Sequence, residues 1–99
     1  MTSLLLETWK VKSIKYESDH EENMIKTLVH VNQVAKNKGI RIPRHRYYTP
    51  KENNLNRLFI LEFEDNEHQD EWFNCIRDNT FKKYVNQWEK YTENFTMTN

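Results

Sequence analysis

A few side chains in this 99-residue chain have the types and spacing for acid–base chemistry or ligand binding. Glu7 follows Leu4-Leu5-Leu6 and stands two residues before Trp9, which puts a carboxylate and an indole on one side of an extended segment. Glu62 stands among apolar residues in Arg57-Leu58-Phe59-Ile60-Leu61-Glu62-Phe63-Glu64. Between these segments come Arg44, His45, Arg46, Tyr47 and Tyr48. A carboxylate taken out of water must find a cation or keep its proton, and a carboxyl tuned in this way can act as a general acid or base. Glu7, His45 and Glu62 are therefore the candidate catalytic groups. Trp9, Arg46, Tyr47, Tyr48 and Ile60 are the candidate ligand-binding surface, the rings stacking on an aromatic or apolar molecule. The competing reading is a structural ion-pair network of the two glutamates with the arginines, since such networks perturb titration as active sites do.

Other chemistries find less support. His20 and His68 fall in acidic first turns of expected helices, beside Glu21 and Glu67, where solvent is the usual environment. His30 lies near an apolar helical stripe and reads as a partly buried structural residue. His68 and Glu71 are three residues apart but lack a third ligand, so no metal site is expected. Cys75 is the single cysteine, which excludes an intrachain disulfide and suits a small core residue in a reducing, cytoplasmic setting. Gly39 is the single glycine, so dinucleotide loops, phosphate cradles and nucleophile elbows are excluded and no cofactor is expected. Fifteen basic and fifteen acidic residues give no net charge, against a nucleic-acid or anionic-membrane binder. The charge is nonetheless uneven, +4 over residues 1–50 and −4 over residues 51–99, so the two halves attract. Leu4-Leu5-Leu6 is too short for a membrane span or a signal-peptide core.

These residues need a scaffold, and its elements can be read in order. Leu4–Lys12 alternates in part and reads as a strand. Ser18 with Glu21 reads as a capping box opening a helix, in which Met24, Leu28, Val31 and Ala35 recur at helical spacing and Gly39 closes the end. Residues 40–49 and 57–64 read as a hairpin around a polar turn over 50–56, with Pro43 confining the start of the first strand to an edge or bulge. Asp65 caps a second helix bearing Trp72, Phe73 and Ile76. Asp78-Asn79-Thr80 breaks it, with Thr80 as the new cap, and Phe81, Tyr84, Val85, Trp88 and Tyr91 continue at helical spacing. Phe95–Met97 reads as a short last strand. The order βαββαβ predicts one ferredoxin-like α+β domain over residues 1–99: a four-stranded antiparallel sheet with helices on one face and the second helix broken.

Helices on one face leave the other bare, yet both faces of residues 58–64 are apolar: Phe59, Leu61 and Phe63 on one, Leu58 and Ile60 on the other. A second copy related by a two-fold axis is the expected cover, enclosing a barrel-like interior. The mean hydropathy of −1.03 with 13% aromatic residues points the same way, toward a core completed by a partner. With Leu58 and Ile60 directed into that barrel, Glu62 follows. Glu7 and Trp9 are expected there too, with Leu4 and Leu6 toward the helices. The strand after Pro43 offers either Arg44, Arg46 and Tyr48 or His45 and Tyr47.

The sequence Phe63-Glu64-Asp65, a polar helix start, Glu71-Trp72-Phe73, then Asp78-Asn79-Thr80-Phe81 and Trp88 resembles the dimeric α/β-barrel superfamily, in its NIPSNAP-like and antibiotic-biosynthesis-monooxygenase-like branches. The resemblance implies a homodimer that binds small hydrophobic or aromatic molecules. It also allows cofactor-independent oxygenation or isomerisation. Haem-degrading members place an Asn on the first strand, and Leu4–Lys12 has none. The alternative functions are an RNA-recognition module of the same topology, supported by Arg41, Arg44, His45 and Arg46 with Tyr47 and Tyr48 but lacking the glycine of its third-strand motif, or a non-catalytic interaction protein.

Overall fold

The computed structural model describes residues 2–51 and 54–99. Its first strand, β1 (Ser3–Val11), alternates strictly at its start: Ser3 and Leu5 are buried, Leu4 and Leu6 exposed. A single 3-10 turn (Ile14–Tyr16) leads into α1 (Glu17–Asn37). Ser18 lies inside that helix and Tyr16 occupies the cap position without a side-chain bond, so the expected capping box does not form. Gly39 takes φ +71 just past the helix end, a conformation in which a Cβ would be strained.

The hairpin is β2 (Arg44–Tyr48) and β3 (Asn56–Phe63). β2 is shorter than the expected 40–49 because it begins only after Pro43, which lacks the backbone donor a ladder needs. Residues 52 and 53 of the expected turn lie outside the described residues. α2 (Asn66–Ile76) opens on Asp65, whose carboxylate accepts from the His68 amide at 2.8 Å. α3 (Asn79–Tyr91) is capped by Asp78, not Thr80, through the Phe81 amide at 2.7 Å. Each cap contributes about 1 kcal/mol.

The last strand, β4 (Thr92–Thr98), has 7 residues and extends beyond the expected Phe95–Met97 at both ends. Its pairing with β1 steps from Thr8–Thr96 to Lys10–Glu93, so β4 carries one extra residue opposite Trp9. Asn94 absorbs it at φ +57, a left-handed conformation that asparagine tolerates better than most residues.

The strand order is β2-β3-β1-β4, antiparallel throughout, which is the ferredoxin-like arrangement. α1, α2 and α3 cover one face. Between helices and sheet lies a core of Leu5, Trp9, Val31, Phe59, Leu61, Phe63, Trp72 and Ile76, with Cys75 buried among them.

Candidate functional site

Register decides which side chains meet. Leu5 pairs with Leu61, Glu7 with Phe59 and Trp9 with Arg57, so the odd residues of β1 share the helix-covered face with Phe59, Leu61 and Phe63. The expectation that Glu7 and Trp9 look into the bare side is therefore reversed. Burying Trp9 and Val11 to within 4% of full enclosure outweighs covering Leu4 and Leu6, which stay 45% and 38% exposed. In β2 the open phase resolves as Arg44, Arg46 and Tyr48 on the bare face, opposite Glu62, Ile60 and Leu58. Tyr47 and His45 lie on the helix-covered side. The candidate residues thus divide in two: Arg46, Tyr48, Ile60 and Glu62 on one face, Glu7, Trp9, Tyr47 and His45 on the other. His45 is exposed and stacks against Phe59 at 6.0 Å. Among the described residues no hydrogen bond joins it to Glu7 or Glu62.

Behind Trp9 lies a polar network on the covered side. The Trp9 Nε1–H donates to His20 Nε2 at 2.9 Å. That nitrogen must accept, so the proton of a neutral ring sits on Nδ1 and is donated to Glu21 Oε1 at 3.0 Å. Glu21 also accepts from the Tyr47 hydroxyl at 2.9 Å and from Arg57 Nε at 2.9 Å. Arg57 reaches Glu17 Oε2 at 2.8 Å and the carbonyls of Asn54 and Asn56 at 3.0 Å. Burial lowers the His20 pKa and keeps the ring neutral, outweighing the attraction of Glu21. Burial pushes the Glu21 carboxyl up, but the hydrogen bonds from Arg57, Tyr47 and His20 prevail and hold it below the usual range. It is not the ion-pair network expected of Glu7 and Glu62 with the arginines: it is built from Glu21, Glu17 and Arg57, on the helix-covered side. Neither Glu7 nor Glu62 takes part.

His20 is fully buried, not solvated. Four residues before Met24, it continues the apolar stripe of α1 backwards, and that spacing was the available signal. His68 is also buried. Its Nδ1 accepts from the Glu64 amide at 3.0 Å and its Nε2 donates to the Arg41 carbonyl at 2.7 Å, which locks the loop before β2 onto α2. His30 is partly buried, as expected, and meets Asp78 at 2.9 Å.

The network holds Trp9 in an aromatic row. Its ring stacks on Tyr47 (6.1 Å between centroids, 17°) and receives Trp88 edge-on at 5.4 Å, and Trp88 meets Phe95 at 5.2 Å. Glu7 stands beside this row, between Leu5 and Trp9 along β1 and between Phe59 and Met97 across the sheet. Among the described residues no hydrogen bond or ion pair reaches its carboxylate. Burial alone raises its pKa from 4.5 to about 7. Its neighbours Leu5 and Met97 line a groove of about 460 Å³ between α2 and the β1–β4 edge, together with Phe73, Asn74 and Arg77. A partly buried acid raised toward neutrality, close to a groove of mixed polar and apolar lining, is equipped for proton transfer. Among the described residues no group of three His, Cys, Asp or Glu side chains could hold a metal ion.

No protein-family model and no curated protein matches this chain. Solved structures do. A NIPSNAP domain protein from Burkholderia xenovorans superposes with a TM-score of 0.72 at 14% identity, covering 99% of this chain and 90% of that one. SnoaB from Streptomyces nogalater, described as a cofactor-independent oxygenase, gives 0.70 at 8% identity over 99% and 91%. An antibiotic biosynthesis monooxygenase gives 0.64 at 11% identity over 97% and 94%. The fold is theirs. At these identities the likeness extends to the fold alone, in agreement with the NIPSNAP-like and monooxygenase-like resemblance of the sequence.

The bare face has its own character. Leu4, Leu6, Leu58 and Ile60 form its centre, flanked by Arg44, Arg46, Tyr48 and Glu62. An RNA-recognition sheet needs aromatic rings on the exposed side of its two central strands. Here the described residues of β1 and β3 place Trp9, Phe59 and Phe63 on the covered side instead. No helix of the described residues is long and apolar enough to cross a membrane.

Proposed function

We propose that this chain is a homodimeric small-molecule-binding protein in which Glu7 removes a proton from a flat apolar or aromatic substrate held in the groove beside it. One observation carries the reading: a carboxyl without a partner among the described residues, raised by burial to about 7, has as neighbours along and across the sheet Leu5 and Met97, two of the groove's lining residues. Loss of a proton from an activated carbon or a phenol is the first step of two cofactor-free reactions. Returned to a different carbon, the proton completes an isomerisation. If the carbanion instead gives its electrons to dioxygen, a carbon–oxygen bond forms and the peroxide takes up the proton held by Glu7. Its O–O bond then breaks as the carbon loses a second hydrogen, leaving a carbonyl and releasing the other oxygen as water. The neighbour described as a cofactor-independent oxygenase supports the second course. Cover of Leu4, Leu6, Leu58 and Ile60 by the same face of a second copy supports the dimer, since a patch of this kind is rarely left to water.

The probe is naphthol, an aromatic hydroxyl whose proton Glu7 would accept. Calorimetric titration is expected to show saturable binding that strengthens as pH rises through about 7, because ionised Glu7 accepts a charge-assisted hydrogen bond. Glu7→Gln should keep the binding and flatten the profile. Absence of saturable binding, or a profile unchanged in Glu7→Gln, would overturn the assignment.

A further inference from the structure

On the groove's α2 wall Gln69 and Asp70 sit four residues before Phe73 and Asn74, on one helix face, and Arg77 follows as the residue that caps the helix's end. At one end the polar groups are already engaged. Gln69 accepts from the Ser3 hydroxyl at 2.6 Å and donates to Asn99 at 2.7 Å, and Asn99 donates to the Leu4 carbonyl at 2.6 Å. These bonds tie the end of β4 to β1 and close that end.

The other end differs. Among the described residues Arg77 makes no ion pair and no side-chain hydrogen bond. Its guanidinium carbon lies 5.9 Å from the centroid of Phe73, the ring that walls the groove. The cation is thus held at the apolar surface while its forked donors stay unused.

We propose that Arg77 selects ligands with an anionic group at one end of a flat apolar body, that is, aryl or polycyclic carboxylic acids. The body lies against Leu5, Phe73 and Met97, and the carboxylate sits at the rim on the guanidinium. This rests on reading the groove as the ligand site. The orientation follows from desolvation. A carboxylate placed inward, beside Glu7, would lose its water where no cation of the described residues pairs with Glu7, and would face a second acid. At Arg77 it keeps part of its hydration and gains two parallel hydrogen bonds. Asp70 shares the wall about 10 Å of helix rise away and repels an anion from that part of the groove, which gives the site a polarity.

The test compares naphthoate, naphthol and naphthylmethylamine by calorimetric titration against the full chain. Naphthoate is expected to bind about fivefold more tightly than naphthol, modest because Arg77 is solvent-exposed and its field is screened. The amine should bind most weakly, and salt should erode the naphthoate preference. Arg77→Gln should abolish that preference, so that naphthoate and naphthol bind the variant alike, and Arg77→Lys should retain part of it. Naphthol separates the two levels of failure. If none of the three binds, the groove is not a ligand site and the selector falls with it. Saturable naphthol binding with naphthoate no tighter, a preference that survives Arg77→Gln, or tighter binding of the amine would overturn the role of Arg77 alone.

Discussion

Replacing Glu7 with Gln should stabilise the protein above neutral pH and do almost nothing in acid. The carboxyl is raised from 4.5 to about 7 by burial alone. At about 1.4 kcal/mol per pH unit that corresponds to about 3 kcal/mol, trimmed to about 2–3 kcal/mol by the water that reaches its open side. Below about pH 4.5 the folded and unfolded chains both hold the proton, and Glu7 contributes no pH dependence. Between 4.5 and about 7 the unfolded chain gives the proton up and the folded one keeps it. The folded state then binds more protons, so stability falls as pH rises, and the loss is complete above about 7. Glutamine is close in shape and has no charge to desolvate, so the variant escapes this fall. Urea unfolding followed by circular dichroism at intervals from about pH 4 to about pH 8 measures the difference. The curves should coincide at the acid end and separate by about 2–3 kcal/mol at the alkaline end, roughly 10 °C in Tm for a domain of this size. A gap that does not change with pH would refute the burial argument. A variant less stable than the parent at pH 8 would reveal a cation or donor holding the carboxylate.

Two further outcomes test the two faces of the sheet. Ile60→Glu places a charge at the centre of the bare face: light scattering is expected to show a dimer for the parent chain and a monomer for the variant, with helical content kept; a variant that stays dimeric would put the interface elsewhere. Glu21→Gln removes the charge from the common acceptor of His20, Tyr47 and Arg57, leaving Glu17 as the one carboxylate on the buried guanidinium among the described residues; a loss of about 3 kcal/mol in denaturant unfolding is expected, and a loss under about 1 kcal/mol would make the network incidental.

The order of elements was legible because each has strong local punctuation: Gly39 after α1, Pro43 before β2, Asp65 and Asp78 ahead of the last two helices. The phase of β3 was legible too, since Phe59, Leu61 and Phe63 outweigh Leu58 and Ile60 on opposite faces. β1 was not. Leu4-Leu5-Leu6 is apolar on both sides, so its phase is set downstream, where Trp9 and Val11 demand burial. A strand has a period of two, and that one decision moved Glu7 and Trp9 together to the other face. The site was obscured for a related reason. His20, Glu21 and Arg57 look like solvated polar residues one at a time. They become a buried network only when the start of α1 crosses the start of β3, a juxtaposition that local spacing does not encode. β4 was read short because its exposed polar residues, Thr96 and Thr98 among them, give an edge strand little apolar pattern.

The phase of β1 also determines how the parts of the molecule can work together. Had Glu7 faced the bare side, the proposed second copy would bury it and every test of the acid would be a test of the interface. On the covered side its environment comes from one chain: Phe59 and Met97 across the sheet, Trp9 held by His20, and the groove wall of α2. Leu4 and Leu6, on the same strand, face the opposite way toward Leu58 and Ile60. One strand therefore serves two purposes through alternate residues. Charge introduced at Ile60 acts across the thickness of the sheet from Glu7 and should leave the alkaline loss of stability in place, whereas Glu7→Gln removes that loss without touching the bare face. The acid and the interface can thus fail separately, which makes a tuned proton acceptor distinguishable from a by-product of assembly.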